Sequence, residues 1–253
     1  MINPEEIESR LERVLMRVQK PGRYVGGELN QVVKAWDSVK THVGLIFPDI
    51  YDIGLPNLGL AILYDQINRR EDALAERAYA PWTDMEAQLR EHHIPLYGLE
   101  SKHALADFDI LGFTLPYESL YTNVLNILDL AGIPIFARER DERHPLIIAG
   151  GHAVFNPEPM SDFIDAFVIG EGEEVIHEVL DAYQSWKESG QPRAELLLRL
   201  ARIPGVYVPA LYQVDYNPDG TVRRVTPLAT EAALPVVKRV VGQLPPAITK
   251  FLV

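Results

Sequence analysis

The residues whose types and spacing suit ligand chemistry stand at the ends of short apolar runs. Residues 146–149 (Leu-Ile-Ile-Ala) lead into Gly150, Gly151 and His152, and residues 166–169 (Ala-Phe-Val-Ile) lead into Gly170, Glu171 and Gly172. Both runs read as fully buried strands of a parallel sheet. Ligands of such sheets sit outside the carboxyl ends of the strands, where glycines let a backbone approach a bulky group. Two further sets occupy similar places: Asp49, Tyr51 and Gly54 after the run 42–47, and Thr114, Leu115 and Tyr117 at the end of the run 109–115. Each set also has a plainer reading. Tight turns account for the glycines, a strand end feeding a helix capped by Glu118 or Ser119 accounts for Thr114 to Tyr117, and an Asp-x-Tyr-x-x-Gly spacing arises easily by chance.

Other chemistries find little support. Glu171, Glu173 and Glu174 favour the start of a helix, but they would repel a phosphate there. The loop after the first strand has no Gly-x-Gly-x-x-Gly or hydroxyl-rich cradle, so a flavin mononucleotide or nucleotide site fits poorly. The seven histidines, His42, His92, His93, His103, His144, His152 and His177, show no metal-ligand spacing. The chain contains no cysteine, which removes disulfides, thiolate metal sites and iron–sulfur ligation from it. No catalytic residue and no metal ligand is assigned.

The elements that must position these residues alternate along the chain. An amphipathic helix is expected over 4–18, with Asn3 as its cap and Pro4 in its first turn. Five strands are expected at 42–47, 73–80, 109–115, 146–149 and 166–169. Helices are expected at 58–70, 81–92, 119–131 and 171–188. This order predicts an α/β protein with a doubly wound, mostly parallel five-stranded sheet of flavodoxin- or Rossmann-like order. Runs 206–214 and 221–225 flank Asn217-Pro218-Asp219-Gly220 and predict a small β-hairpin extension. Three regions follow: a helix and connector over 1–40, the α/β domain over 41–190, and a helix, hairpin and linker over 191–253.

Composition sets outer bounds. The chain has 253 residues, 47% hydrophobic and 24% charged, with a net charge of −12. That charge argues against a fragment that grips nucleic acid unaided. No apolar run is long enough to span a membrane, and the N-terminus lacks a signal-peptide pattern. A cytoplasmic protein is expected.

The loops 150–159 (Gly-Gly-His-Ala-Val-Phe-Asn-Pro-Glu-Pro) and 168–174 (Val-Ile-Gly-Glu-Gly-Glu-Glu), in this order, resemble the cobalamin-binding-like domain that precedes the catalytic core in one class of radical S-adenosylmethionine (SAM) enzymes. The lead-in 21–30, with its Pro-x-x-Tyr-x-Gly-x-Glu-x-Asn spacing, is similar to theirs as well. The resemblance implies a cobalamin site made of Asp49, Tyr51, Gly54, Thr114, Leu115, Tyr117, Gly150, Gly151, His152, Gly170, Glu171 and Gly172. Thr114 and Leu115 would line the tunnel for the nucleotide tail. Cobalamin domains of the mutase and methyltransferase type carry Asp-x-His-x-x-Gly, whose histidine ligates cobalt. Tyr51 stands in that place here, and a phenol is a poor neutral ligand. Cobalamin is therefore expected without a protein histidine on cobalt, with Tyr51 packed beneath the corrin or bonded to a water. The family's Cys-x-x-x-Cys-x-x-Cys motif is missing. The chain is accordingly expected to be an amino-terminal segment cut before that motif, with the [4Fe–4S] cluster, SAM and the catalytic activity residing in a following radical SAM domain, its expected partner. Two alternatives stay open: an interaction or substrate-docking module that has lost corrin binding, and an independent small-ligand sensor.

Overall fold

The computed structural model describes residues 2–242. Pro245 and Pro246 of the expected linker lie outside the described residues.

Five parallel strands, β1 (Thr41–Phe47), β2 (Ala73–Tyr79), β3 (Ile110–Thr114), β4 (Leu146–Gly150) and β5 (Ala166–Val168), form a sheet in the order β2-β1-β3-β4-β5. That is the expected flavodoxin-like order. The sheet has six strands rather than five, because β6 (Val206–Tyr207) adds to β5 in antiparallel register. The expected run 206–214 is therefore two elements. Pro209 opens a 3-10 turn after Tyr207, and proline supplies no ladder donor. The hairpin itself is β7 (Tyr212–Tyr216) and β8 (Val222–Pro227), closed by a turn in which Gly220 donates its N–H to the Asn217 carbonyl.

Seven α-helices lie among the described residues: α1 (Pro4–Leu15), α2 (Tyr51–Gly54), α3 (Leu58–Asn68), α4 (Thr83–Glu91), α5 (Tyr121–Leu130), α6 (Val175–Ser189) and α7 (Arg193–Ala201). Asn3 caps α1, accepting from the Glu6 N–H at 2.8 Å, as its sequence predicts. The last helix of the α/β unit starts later than expected: Val175 is its first residue, and Glu173 and Glu174 form the turn before it. Between β4 and β5 the chain makes only 3-10 turns. The strands are mostly apolar because helices cover both faces of a parallel sheet, and β1 and β2 are buried at all seven positions. Among the described residues no helix is long and apolar enough to cross a membrane.

Edge strand β2 carries two charges inward. Arg77 is fully buried, donates from Nε to Glu100 at 2.7 Å and from an η nitrogen to Glu28 at 2.8 Å, and so ties the connector and the 98–102 loop to the sheet. Burial alone would push the Glu28 carboxyl up, yet Arg77 holds it below its ordinary range. Glu76 next to it makes no ion pair among the described residues, and the Lys102 charge lowers it only in part. It accepts from the N–H and hydroxyl of Ser101, while burial and the Glu100 charge push it up to about 7.

Arg77→Met should leave Glu28 and Glu100 buried without their cation and destabilise the fold by about 3–5 kcal/mol. Urea unfolding measures this; a loss below about 1 kcal/mol would contradict the account. Glu76 has a folded-state pKa above its unfolded one, so its contribution is greatest below pH 4.5 and falls as pH rises through about 7. Glu76→Gln should therefore gain on the wild type by up to about 3 kcal/mol over that window. Parallel stability–pH curves for the two would contradict it.

Candidate functional site

The order of the sheet reverses between β1 and β3, and a crevice opens at such a switch point. Here it is a cleft of about 260 Å³ between the sheet and the pair α3 and α6. Register explains its position. Leu45, Gly112 and Ile148 are direct neighbours across β1, β3 and β4, and Thr114 pairs with Gly150 one row above. Both rows face the cleft, and in each a glycine stands where a parallel sheet usually packs a branched side chain.

The cleft glycines differ in why they are glycine. A Cβ on Gly150 would meet nothing nearer than the Val168 carbonyl at 4.0 Å, and one on Gly112 would touch Leu45 at an ordinary 3.5 Å. Neither has a positive φ, so the backbone does not demand glycine at either position; what their missing side chains provide is space. Gly151 and Gly170 are the opposite case, both at φ +109°. A Cβ on Gly151 would lie 2.6 Å from the Leu115 carbonyl oxygen, and on Gly170 it would strike the backbone of Arg239. These two are required by the chain's own packing.

Six of the twelve predicted residues line this cleft: Thr114, Gly150, Gly151, Gly170, Glu171 and Gly172. The other six do not. Leu115 is a fully buried core residue whose N–H bonds the Gly150 carbonyl, while Tyr117 and His152 are exposed on their loops. Asp49 accepts from the next N–H, that of Ile50. Gly54 leaves no room for a ligand: a Cβ there would lie 2.6 Å from the Tyr79 ring. Tyr51 packs edge-on against Tyr79, and its hydroxyl donates to Glu28 at 2.8 Å. Burial and the Glu28 charge push the phenol above its ordinary range, so a phenolate is disfavoured. Tyr51 thus belongs to the Arg77 network.

A strap formed by the last described residues closes one side of the site. Arg239 bridges to Gly170 in parallel fashion, exchanging backbone hydrogen bonds with Ile169 and Glu171. Its guanidinium pairs with Glu178 on α6, and the Val241 N–H donates to the Glu171 carboxylate. Glu171 therefore serves the strap rather than a helix start. Sequence reading missed Gly112, Gly59 and the apolar wall of α3 and α6 (Ile62, Leu63, Val175, Ile176) that complete the cleft. Gly112, a glycine inside an apolar strand, carried a legible signal of close approach; the helix faces carried none beyond ordinary amphipathicity.

In comparisons with known proteins, residues 59–209 match the family described as radical SAM proteins, N-terminal. The chain is similar to a radical S-adenosylmethionine methyltransferase, TsrM from Kitasatospora setae, solved with cobalamin and a [4Fe-4S] cluster bound, at 16% identity and a TM-score of 0.42, covering 77% of this chain and 32% of that one. It is also similar to OxsB, a cobalamin-dependent S-adenosylmethionine radical enzyme solved with aqua-cobalamin, at 12% identity and a TM-score of 0.40, covering 91% of this chain and 29% of that one. The chain spans about a third of the length of either protein. No curated protein matches it.

Gly151→Ala should cost more than about 1 kcal/mol because φ is positive and the Leu115 carbonyl is in the way, whereas Gly150→Ala should stay within about 0.5 kcal/mol of the wild type. Thermal or urea unfolding of the two variants distinguishes them, and equal losses would contradict the division of roles.

Proposed function

The chain belongs to the family of N-terminal domains of radical SAM proteins, and on that basis we propose that it holds cobalamin beside a radical SAM catalytic domain. The supporting observation is the cleft: apolar, at the switch point, and kept open by glycines that the backbone does not require. A cavity of about 150 Å³ already accepts benzene, so one of about 260 Å³ suits the bicyclic base of a nucleotide tail but not a corrin. The tail would enter between α3 and α6 beside Gly112 and Gly150, with Thr114 at its side. The corrin would lie outside, over the carboxyl ends of the strands. There the loops present the exposed apolar side chains Ile53, Leu58, Trp82, Tyr117 and Phe155, which suit a broad hydrophobic face.

Bound cobalamin would supply the cobalt chemistry, while this chain binds and orients it. Tyr51, in the place of the cobalt-ligating histidine, is committed to Glu28, and on this reading His152, exposed on its loop, stays a solvated side chain. A base-off, histidine-off cofactor follows. SAM and the [4Fe–4S] cluster belong, on this reading, to the catalytic domain, which would also be the partner of the carboxyl edge.

One set of contacts favours the second reading, a docking module without a corrin. Tyr51, Gly170 and Glu171 are all engaged by the chain itself. Titration with hydroxocobalamin under anaerobic conditions separates the two. Saturable binding with a base-off spectrum is expected, and Gly150→Val, which fills the cleft, should weaken it at least tenfold, about 1.4 kcal/mol, with the circular dichroism unchanged. Absence of binding, or a spectrum of histidine-nitrogen coordination, would overturn the proposal.

A further inference from the structure

A second cavity, of about 620 Å³, shares no lining residue with the cleft. It lies toward the amino ends of the strands: its Asp165 immediately precedes β5, and its Arg193 bonds the Pro145 carbonyl just before β4. Tyr207, Tyr212 and Tyr216 line it together with Arg138 and Arg140. Its buried charges do not balance. Arg140 and Arg193 are 6% and 7% exposed, and among the described residues only Asp165 pairs with either guanidinium. Arg193 takes it, with Nη2 at 2.9 Å, and directs Nη1 to the carbonyls of Asp141 and His144. Arg140 Nε stays 3.7 Å from the same oxygen, past hydrogen-bond reach. Its Nη1 has no partner among the described residues, and its Nη2 donates to the Phe163 carbonyl. Burial pushes Arg140 below its ordinary range, although Asp165 pulls the other way. One positive charge is thus buried without a counter-ion of its own, which protein interiors normally avoid.

Arg138, exposed, makes no ion pair among the described residues, and its guanidinium lies 4.2 Å from the Phe136 ring centre. The neighbouring carboxylates are Glu142, which accepts the Arg193 N–H, Glu158, which accepts the Tyr207 hydroxyl, and Asp162. All three are exposed, so water and salt screen them, whereas the buried charge is screened little. We infer that this cavity binds a small organic anion, its carboxylate or phosphate toward Arg138 and Arg140 and its flat apolar body on the tyrosines. The volume falls in the range of small-molecule sites, and a tyrosine wall suits a body of that kind. The Arg140 side chain is closed to water. It therefore acts as a fixed charge behind the wall, while Arg138 and the Tyr216 hydroxyl make the direct contacts. The inference does not rest on the cobalamin reading.

Calorimetry of the whole chain with benzoate, phenyl phosphate and benzyl alcohol, a neutral molecule of the same shape, tests this. At least one of the two anions should bind about tenfold or more tighter than the alcohol, and which of them is tighter tells a carboxylate site from a phosphate site. Arg140→Met leaves Asp165 paired with Arg193, so its unfolding midpoint without anion should stay within about 3 °C of the wild type or rise. The same substitution should weaken the anion about tenfold, and Arg138→Ala should weaken it several-fold with the midpoint unchanged. Gly150→Val, in the other cavity, should leave anion binding as it is. Anions that bind no tighter than benzyl alcohol, or that bind Arg140→Met as tightly as the wild type, overturn the site. An Arg140→Met chain that fails to fold or loses more than about 10 °C overturns it too, because Arg140 would then be a structural ion pair rather than a surplus charge.

Discussion

Two absent Cβ atoms in neighbouring parallel strands set the character of the carboxyl edge. A parallel sheet covered by helices on both faces normally fills the space beneath them with branched side chains, and packing in protein interiors leaves few voids larger than a water. At Gly112 and Gly150 that filling is withheld, in adjacent rows and next to the point where strand order reverses. The helices α3 and α6 cannot collapse into the gap, because each is fixed by its own apolar contacts with the sheet: Leu60, Tyr64 and Ile67 on one, Val179, Leu180 and Tyr183 on the other. Space remains, and its walls are apolar because the same strands also form the core.

The opposite flank of the edge is built to be rigid. Arg77 draws Glu28 from the connector and Glu100 from the loop after α4 into one buried network, and Glu28 in turn takes the Tyr51 hydroxyl. Breaking such a network is costly because each member would be left charged and dry. Tyr51 is thereby engaged by the chain itself, while the cleft opens on the side of β3, β4 and β5. The strap through Arg239 fixes the far side, against β5 and α6.

Much of this architecture was legible in the sequence because fully buried strands read as short apolar runs and their order reads as alternation with helices. β6 was not, since two residues carry no alternating pattern that could announce their pairing with β5. Half of the residues singled out in the sequence line the cleft. Thr114 and the glycine loops stand at strand ends, which sequence can locate. Which glycine provides space and which a turn depends on φ and on a distant carbonyl, as Gly150 and its neighbour Gly151 show. Asp49, Tyr51 and Gly54 had a suggestive spacing, but spacing names no partner: the group that claims Tyr51 lies 23 positions upstream.

The claim on which everything else turns is that the cleft between α3 and α6 receives the nucleotide tail of a cobamide. A structure of the chain with hydroxocobalamin tests it most directly. The account predicts the tail beside Gly112 and Gly150, the corrin above the carboxyl ends of the strands, and no side-chain nitrogen on cobalt from the tail side. A cofactor seated elsewhere on the surface with the cleft vacant, or a cobalt held by a protein histidine, would contradict it.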